Sequence, residues 1–445
     1  MIPRMMEQNL ARWYGGTHRK PLILRGARQV GKSTLVRQFA KNHNLDLIEI
    51  NLERHRSLDR LFSQLDTVNA LHEFSGIAGK NFGTESLLFL DEIQATPNAL
   101  QLLRYLYEDH PNLPVIAAGS LLEFALSKAS FSMPVGRVEH LYLFPLTFKE
   151  FLQSDQYLYD QLESITATSS VPASVHEKLL AKQREYLFVG GMPEAVEEYH
   201  NTGSLQNASS VHRSIVETYE YDFSKYTQHK DLALMQHVYW QCSRAVGQKV
   251  KYSRFSKDHQ GREIKNALLL LQKAQIITKV FNSKCNGLPL HAELDELAYK
   301  LLHLDVGLMV NMMGLDWLSI KNFTSRELIN EGVLAEQFIG QHLPEFVSGV
   351  QKPRPVYWLR ESRSSNAEVD YVISQGDWII PIEVKAGKSG TLKSLHQFNH
   401  EKKPNLSVRF DLNPPSLQHI EHAIRIHTGT VNVSYPLLSL PLYAI

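Results

Sequence analysis

Residues 26–33 read Gly-Ala-Arg-Gln-Val-Gly-Lys-Ser, a GxxxxGK[ST] spacing between the apolar run Leu22-Ile23-Leu24 and a helical stretch from Thr34 to Phe39. No other feature constrains the fold as tightly. The two glycines let the backbone curl until its N–H groups converge, and the following helix aims the positive end of its dipole at the same point. Such a loop cradles phosphate, and it works only with a strand behind it and a helix ahead. An α/β domain with a parallel sheet is therefore expected. The apolar runs Pro21–Arg25, Asp46–Asn51, Ser86–Leu90, Pro114–Ala118 and His140–Phe144, separated by helical stretches, supply its strands.

The candidate nucleotide cradle is Gly26, Ala27, Arg28, Gln29, Val30, Gly31, Lys32, Ser33 and Thr34. Lys32 is expected to reach the β and γ phosphates and Ser33 to ligate Mg²⁺. The run Ser86–Leu90 ends in Asp91-Glu92, carboxylates that a buried central strand delivers at its C-terminal edge. Asp91 suits the metal, and Glu92 suits a base that polarises the attacking water. ATP and Mg²⁺ are thus the expected cofactors. A strand at Pro114–Ala118, lying between the loop strand and the Asp-Glu strand, would aim Ser120 at the γ-phosphate, with Gln94 reaching the same region; turn chemistry explains Gly119-Ser120 equally well. Arg137 precedes the last strand, where an arginine can meet the ATP of a neighbouring subunit in a homo-oligomer such as a hexameric ring. A surface arginine is the alternative.

With these motifs in view, the chain resembles a prokaryotic AAA-type ATPase family. In that family a GARQVGK[ST]-T loop, a DEIQ segment, a GS pair, GR and PLTFKEF precede a C-terminal half of unknown function. Here they are Gly26–Thr34, Asp91–Gln94, Gly119-Ser120, Gly136-Arg137 and Pro145–Phe151. The resemblance continues through Gly190–Pro193 and Lys300–Leu308, and it implies an AAA-type ATPase without fixing a biological role.

The 445 residues, 43% apolar and 21% charged, can bury several cores. The expected order is an AAA-type ATPase domain at 1–150, a helical lid and connector at 151–240, a winged helix at 241–324 and an α/β PD-(D/E)xK nuclease-like domain at 325–445. No apolar run reaches the ~18–20 residues that span a bilayer. The first residues lack the pattern of a signal peptide, so a cytoplasmic chain with no membrane partner is expected. Cys242 and Cys285 are too few for a disulfide framework and too far apart for a zinc pair; they read as packing residues.

Overall charge, a formal +1, says nothing of partners, but ten Lys/Arg fall between Arg244 and Lys284 against only Asp258 and Glu263. Such clustering suits a polyanion. Within it, Ser253–Lys257 and Gly261–Ala274 read as helices, and Gln275–Phe281 with Leu288–His291 as a wing around Asn286-Gly287. Ile264, Ala267, Leu268 and Leu271 share one helical face, leaving Arg262, Lys265, Asn266 and Lys273 to project towards DNA.

Further on, Glu368–Ile373 and Ile379–Lys385 flank a Gly376-Asp377 turn. A two-residue loop there sets Asp370 opposite Glu383, and Glu368 opposite Lys385. Facing carboxylates need a cation or a proton. The D-x12-E-x-K spacing resembles the PD-(D/E)xK nuclease core. That resemblance implies Asp370 and Glu383 as Mg²⁺ ligands, Glu336 on the preceding helix (Ser325–Leu343) as the third acid, and Lys385 as the group that helps activate water. An ion-pair ladder of Glu368 with Lys385 is the structural alternative.

Two functions compete on this reading. One is an ATPase that binds DNA and couples nucleotide turnover to DNA processing, with a metal-dependent nuclease-like tail. The other is a nucleotide-controlled oligomerising switch whose tail is a catalytically silent scaffold. A protein unfoldase would need a pore loop, for which Phe74-Ser75-Gly76 is a poor candidate.

Overall fold

The computed structural model describes residues 2–124, 136–227, 231–315, 331–346, 354–361, 366–388, 390–426 and 429–445. Two compact units emerge, the first built on Met1–Leu146, the second on Thr147–Leu269, Ile277–Phe346 and Pro353–Ile445.

In the first unit β1 (Leu22–Arg25), β2 (Asp46–Asn51), β3 (Ser86–Asp91), β4 (Val115–Gly119) and β5 (Glu139–Tyr142) form one sheet in the order β2-β3-β4-β1-β5. All its pairs are parallel. Each strand lies within two residues of the run that foretold it, and β4 sits between β1 and β3. Every residue of β1, β3 and β4 is buried, which is why these strands read as unbroken apolar runs rather than alternating ones. Ile23, Ile48, Leu88, Leu90 and Ala117 pack with Phe62, Phe74, Leu103 and Leu106 from the covering helices. A fully buried side chain of this size contributes on the order of 1.5–3 kcal/mol. Phe74-Ser75-Gly76 lies inside the Thr67–Ala78 helix, so it forms no pore loop: Phe74 is a core residue at 0% exposure.

The second unit begins with helices, among them Ala173–Val189, Leu205–Phe223 and Leu232–Ala245. Its eight-stranded mixed sheet comprises β6 (Ile277–Ser283), β7 (Leu294–His303), β8 (Val356–Arg360), β9 (Ala367–Gln375), β10 (Trp378–Val384), β11 (Ser407–Asp411), β12 (Ser416–Ile426) and β13 (Gly429–Pro441). They run in the order β12-β13-β11-β10-β9-β8-β6-β7.

This one sheet takes strands from both sides of the expected division at 324/325. The second wing strand, expected at Leu288–His291, is instead a short 3-10 turn at Leu290–Glu293, and the strand proper starts at Leu294. β6 also pairs in parallel with β8, so the hairpin expected as a wing is the edge of the sheet that carries the C-terminal strands. Burial supplies the reason. Ala298–His303 of β7 are buried on both faces, and a solvated wing could not be. Ser325, the expected start of the next helix, lies outside the described residues; the described helix is Glu331–Phe346. Its Gly340 lets the helix approach β9, because a Cβ there would fall 2.3 Å from the Tyr371 hydroxyl. That hydroxyl donates to the backbone carbonyl of Glu336 at 2.9 Å.

The Gly190-Gly191 break also has a structural cause. Asp305 is fully buried and caps the Val306–Met312 helix by accepting from Leu308 N at 3.0 Å, while also accepting from Gly191 N at 2.6 Å. Gly190 has φ +64°, and a Cβ on it would fall 2.1 Å from Asp305 Oδ1. No helix among the described residues is long and apolar enough to cross a membrane.

Candidate functional site

The loop that follows β1 is shaped by two backbone positions. A Cβ at Gly26 would fall 2.5 Å from the Leu143 carbonyl, and Gly31 takes φ 92° just before the Lys32–Asn42 helix. Gln29 also takes a left-handed φ of 62°. Lys32, 9% exposed, turns its ammonium onto the carbonyls of Gly26 (3.0 Å) and Ala27 (2.7 Å). Burial lowers its pKa to about 8 against the pull of Glu92 and Asp91. The Ser33 hydroxyl donates to Asp91 Oδ2 at 2.7 Å, so the two expected Mg²⁺ ligands are already in contact. Burial raises the Asp91 pKa, with the Ser33 hydrogen bond opposing it.

Glu92 follows β3 in a left-handed conformation, φ 53°, rare for a residue with a Cβ. Its carboxylate accepts a short hydrogen bond from the Gln94 side-chain amide. Gln94 in turn crosses the end of β4, where a Cβ at Gly119 would fall 2.3 Å from Gln94 Oε1. The glycine before Ser120 is thus a matter of space. Ser120 is 4% exposed, and its Oγ has no hydrogen-bond partner among the described residues. Buried polar groups are ordinarily satisfied. An unmatched hydroxyl at this edge fits a ligand oxygen. Arg137 reaches Glu108 at 3.2 Å while its side chain stays 48% exposed.

Arg4 carries no signal in the sequence. Its buried guanidinium donates to the Val30 carbonyl at 2.9 Å and to the Phe144 carbonyl at 2.7 Å, tying the loop to the chain beyond β5. Nothing in the stretch Met1–Met6 marks it out, since the second of these bonds spans 140 residues.

In the second unit, the β9–β10 ladder pairs Trp378 with Gln375 and continues to Ile382 with Tyr371, the register that the Gly376-Asp377 turn predicts. The side chains beyond it are partnered differently from expectation. Asp370 Oδ2 accepts from Val384 N at 2.8 Å, and the Lys385 ammonium pairs with Glu383 at 2.5 Å on its own strand. Glu368 does not pair with Lys385. It pairs with Lys300 from β7, whose ammonium also meets Glu336 at 2.9 Å and lies 3.9 Å from Asp370.

Lys300 is 1% exposed. Burial works against its charge, but Glu336, Asp370 and Glu368 outweigh that and hold its pKa well above the ordinary lysine value. Burial raises Glu336, with Lys300 pulling the other way, and raises Glu383 to about 7, with Asp370 adding to the effect. These residues do not fit the divalent-ion centre expected of Glu336, Asp370 and Glu383. Among the described residues no group of three or more His, Cys, Asp or Glu is placed to hold a metal ion. Lys300 gives no warning of this role, because a lysine within Ala298-Tyr299-Lys300-Leu301-Leu302 reads as the polar face of an edge strand.

The basic segment keeps the helical face expected of it. Ile264, Ala267, Leu268 and Leu271 are buried, Arg262, Lys265 and Asn266 are exposed, and Lys273 is intermediate. Neither Arg262 nor Lys265 forms an ion pair with a described residue.

Comparison with known proteins agrees with the geometry of the first unit. Residues 18–152 match the family described as an AAA domain, and residues 180–319 and 331–429 each match a domain of unknown function. No curated protein matches the chain. Among solved structures, the chain is similar to the Aeropyrum pernix Orc1 protein in complex with DNA, at 15% identity and a TM-score of 0.29, covering 72% of this chain and 92% of that one. It is also similar to the Thermotoga maritima RuvB Holliday junction branch migration motor, at 13% identity and a TM-score of 0.28, covering 66% and 93%. Residues 18–152 thus match an AAA domain model, and helices and a mixed C-terminal sheet follow them.

Proposed function

We propose that the protein is a Mg²⁺-dependent ATPase that binds DNA and couples nucleotide turnover to DNA handling. The buried Ser120 hydroxyl, without a hydrogen-bond partner among the described residues, carries the hydrolytic part of the reading. Backbone N–H groups of Gly26–Thr34 bind the phosphates, with Gly26 and Gly31 giving the chain its curl. Lys32 leaves the loop carbonyls for phosphate oxygens, where its charge is better compensated. Ser33 and Asp91, already 2.7 Å apart, would hold Mg²⁺, which supplies charge neutralisation on the phosphates when bound. Glu92 polarises the attacking water, held in orientation by Gln94, and Ser120 donates to the γ-phosphate. Arg137 acts on the ATP of a neighbouring subunit.

DNA binding is read from the exposed Arg262 and Lys265 on the Gly261–Lys273 helix, backed by a buried apolar face. The competing reading, a switch that signals by oligomerising, draws on the acid cluster, where Lys300 leaves the C-terminal sheet as a scaffold. ATPase assays with and without duplex, branched and single-stranded DNA separate the two. The proposal expects several-fold stimulation by at least one DNA form; a rate unaffected by all of them, with assembly intact, favours the switch.

A further inference from the structure

Four carboxylates, those of Glu336, Glu368, Asp370 and Glu383, gather in the second unit around two ammonium groups, Lys300 and Lys385. We propose that the Lys300 ammonium is the resident cation of this cluster, standing between the helical acid and the two β9 acids so that the cluster takes no divalent ion. The inference does not depend on the ATPase reading.

Geometry carries it. Lys300 is one of the most deeply buried charges among the described residues, at 1% exposure. A buried charge is tolerated only when it is paired. Here the pairing is threefold, to Glu336, Glu368 and Asp370, with the Tyr357 ring 5.1 Å away.

Several of the other carboxylate oxygens already face the chain's own groups. Asp370 Oδ2 accepts from the Val384 N–H, Glu383 Oε1 holds Lys385, and Glu336 Oε2 faces Gly247, where a Cβ would come within 2.7 Å. Glu383 Oε2 alone is buried without a partner. Mg²⁺ demands near-octahedral oxygen ligation, and the Lys300 ammonium stands among the carboxylates that would have to supply it.

The test counts Mn²⁺ bound per nucleotide-free chain, by electron paramagnetic resonance, in four proteins: the natural chain, Asp370→Asn, Lys300→Met and Lys300→Met/Asp370→Asn. The natural chain and Asp370→Asn are expected to bind the same number. Lys300→Met is expected to bind one more, absent again in the double variant, and its melting temperature, lowered in EDTA, should recover by at least half on adding Mn²⁺. The proposal is overturned if Asp370→Asn binds one ion fewer than the natural chain, or if folded Lys300→Met takes up no extra ion. Should Lys300→Met fail to fold even with Mn²⁺, the comparison of the natural chain with Asp370→Asn decides alone.

Discussion

The backbone N–H of Phe148 donates to Nε2 of His342, 194 residues further along the chain, at 2.8 Å. The other ring nitrogen lies 2.6 Å from the Phe338 carbonyl, which requires Nδ1 to carry the proton. The imidazole must then stay neutral, because protonating Nε2 would destroy the acceptor that Phe148 uses. Burial lowers the His342 pKa to about 4, and those of His212 and His303 likewise. A base whose folded pKa is depressed stabilises the fold above its unfolded pKa of about 6.5, and that contribution disappears as pH falls towards 4. At ~1.4 kcal/mol per unit, His342 alone accounts for about 3 kcal/mol. Thermal melts from pH 7 to 4 should show a steep acid loss. His342→Gln should lower the melting temperature at pH 7 and flatten that limb; an unchanged limb would mean His342 is not part of it.

Gly190 and Gly203 share a positive φ, +64° and +66°, but differ in ψ, −162° against 9°. A Cβ at Gly203 meets nothing within 4 Å, whereas one at Gly190 runs into the Asp305 carboxylate. Gly203→Ala should cost about 1 kcal/mol of backbone strain. Gly190→Ala should cost roughly a further 2 kcal/mol, since its backbone lies where essentially only glycine goes and the Cβ also displaces the carboxylate that caps Val306–Met312 and binds Gly191 N. Urea denaturation of the second unit measures both, and equal costs would contradict the closeness of Asp305 to Gly190.

Lys32 and Glu92 divide binding from turnover. Lys32→Ala should abolish ATP binding or hydrolysis, whereas Glu92→Gln should bind ATP and lose turnover. Ser120→Ala should lower kcat by roughly ten-fold with little change in nucleotide Kd. Equal loss of binding in Lys32→Ala and Glu92→Gln would remove the division of labour proposed for them.

Arg137, if it serves a neighbour's ATP, can be complemented. Mixing Arg137→Ala with Lys32→Ala protein pairs some intact loops with intact arginines, and part of the activity should return. No rescue at any ratio, with mixed assembly verified, leaves Arg137 as the surface partner of Glu108.

Charge reversal at Arg262 and Lys265 should weaken DNA binding and leave DNA-independent ATPase unchanged. For every phosphate these side chains no longer neutralise, the slope of log K against log salt should fall by about 0.9 on duplex DNA. An unaltered slope would move the DNA surface elsewhere.

The central strands of the first unit, β1, β3 and β4, were legible because they are parallel and buried on both faces. Such strands are unbroken apolar runs, and Gly26 to Ser33 dictate where the first one ends. The β9–β10 register was legible too, because Gly376-Asp377 leaves a two-residue loop only one pairing. These are local determinants, each contained within a few tens of residues.

Tertiary structure decided what long-range pairing controls. Lys300 interrupts the apolar run of β7; only the burial of that ammonium among Glu336, Glu368 and Asp370 lets this edge strand lie buried. The same cluster replaced an expected metal centre with ion pairs and drew Glu368 away from Lys385. Arg4 on the Val30 carbonyl and His342 under Phe148 are likewise invisible in the sequence. A hydrogen bond between residues 26 or 194 positions apart leaves no periodicity, spacing or turn signal behind, whereas the loop at Gly26–Ser33 carries its geometry in its own glycines.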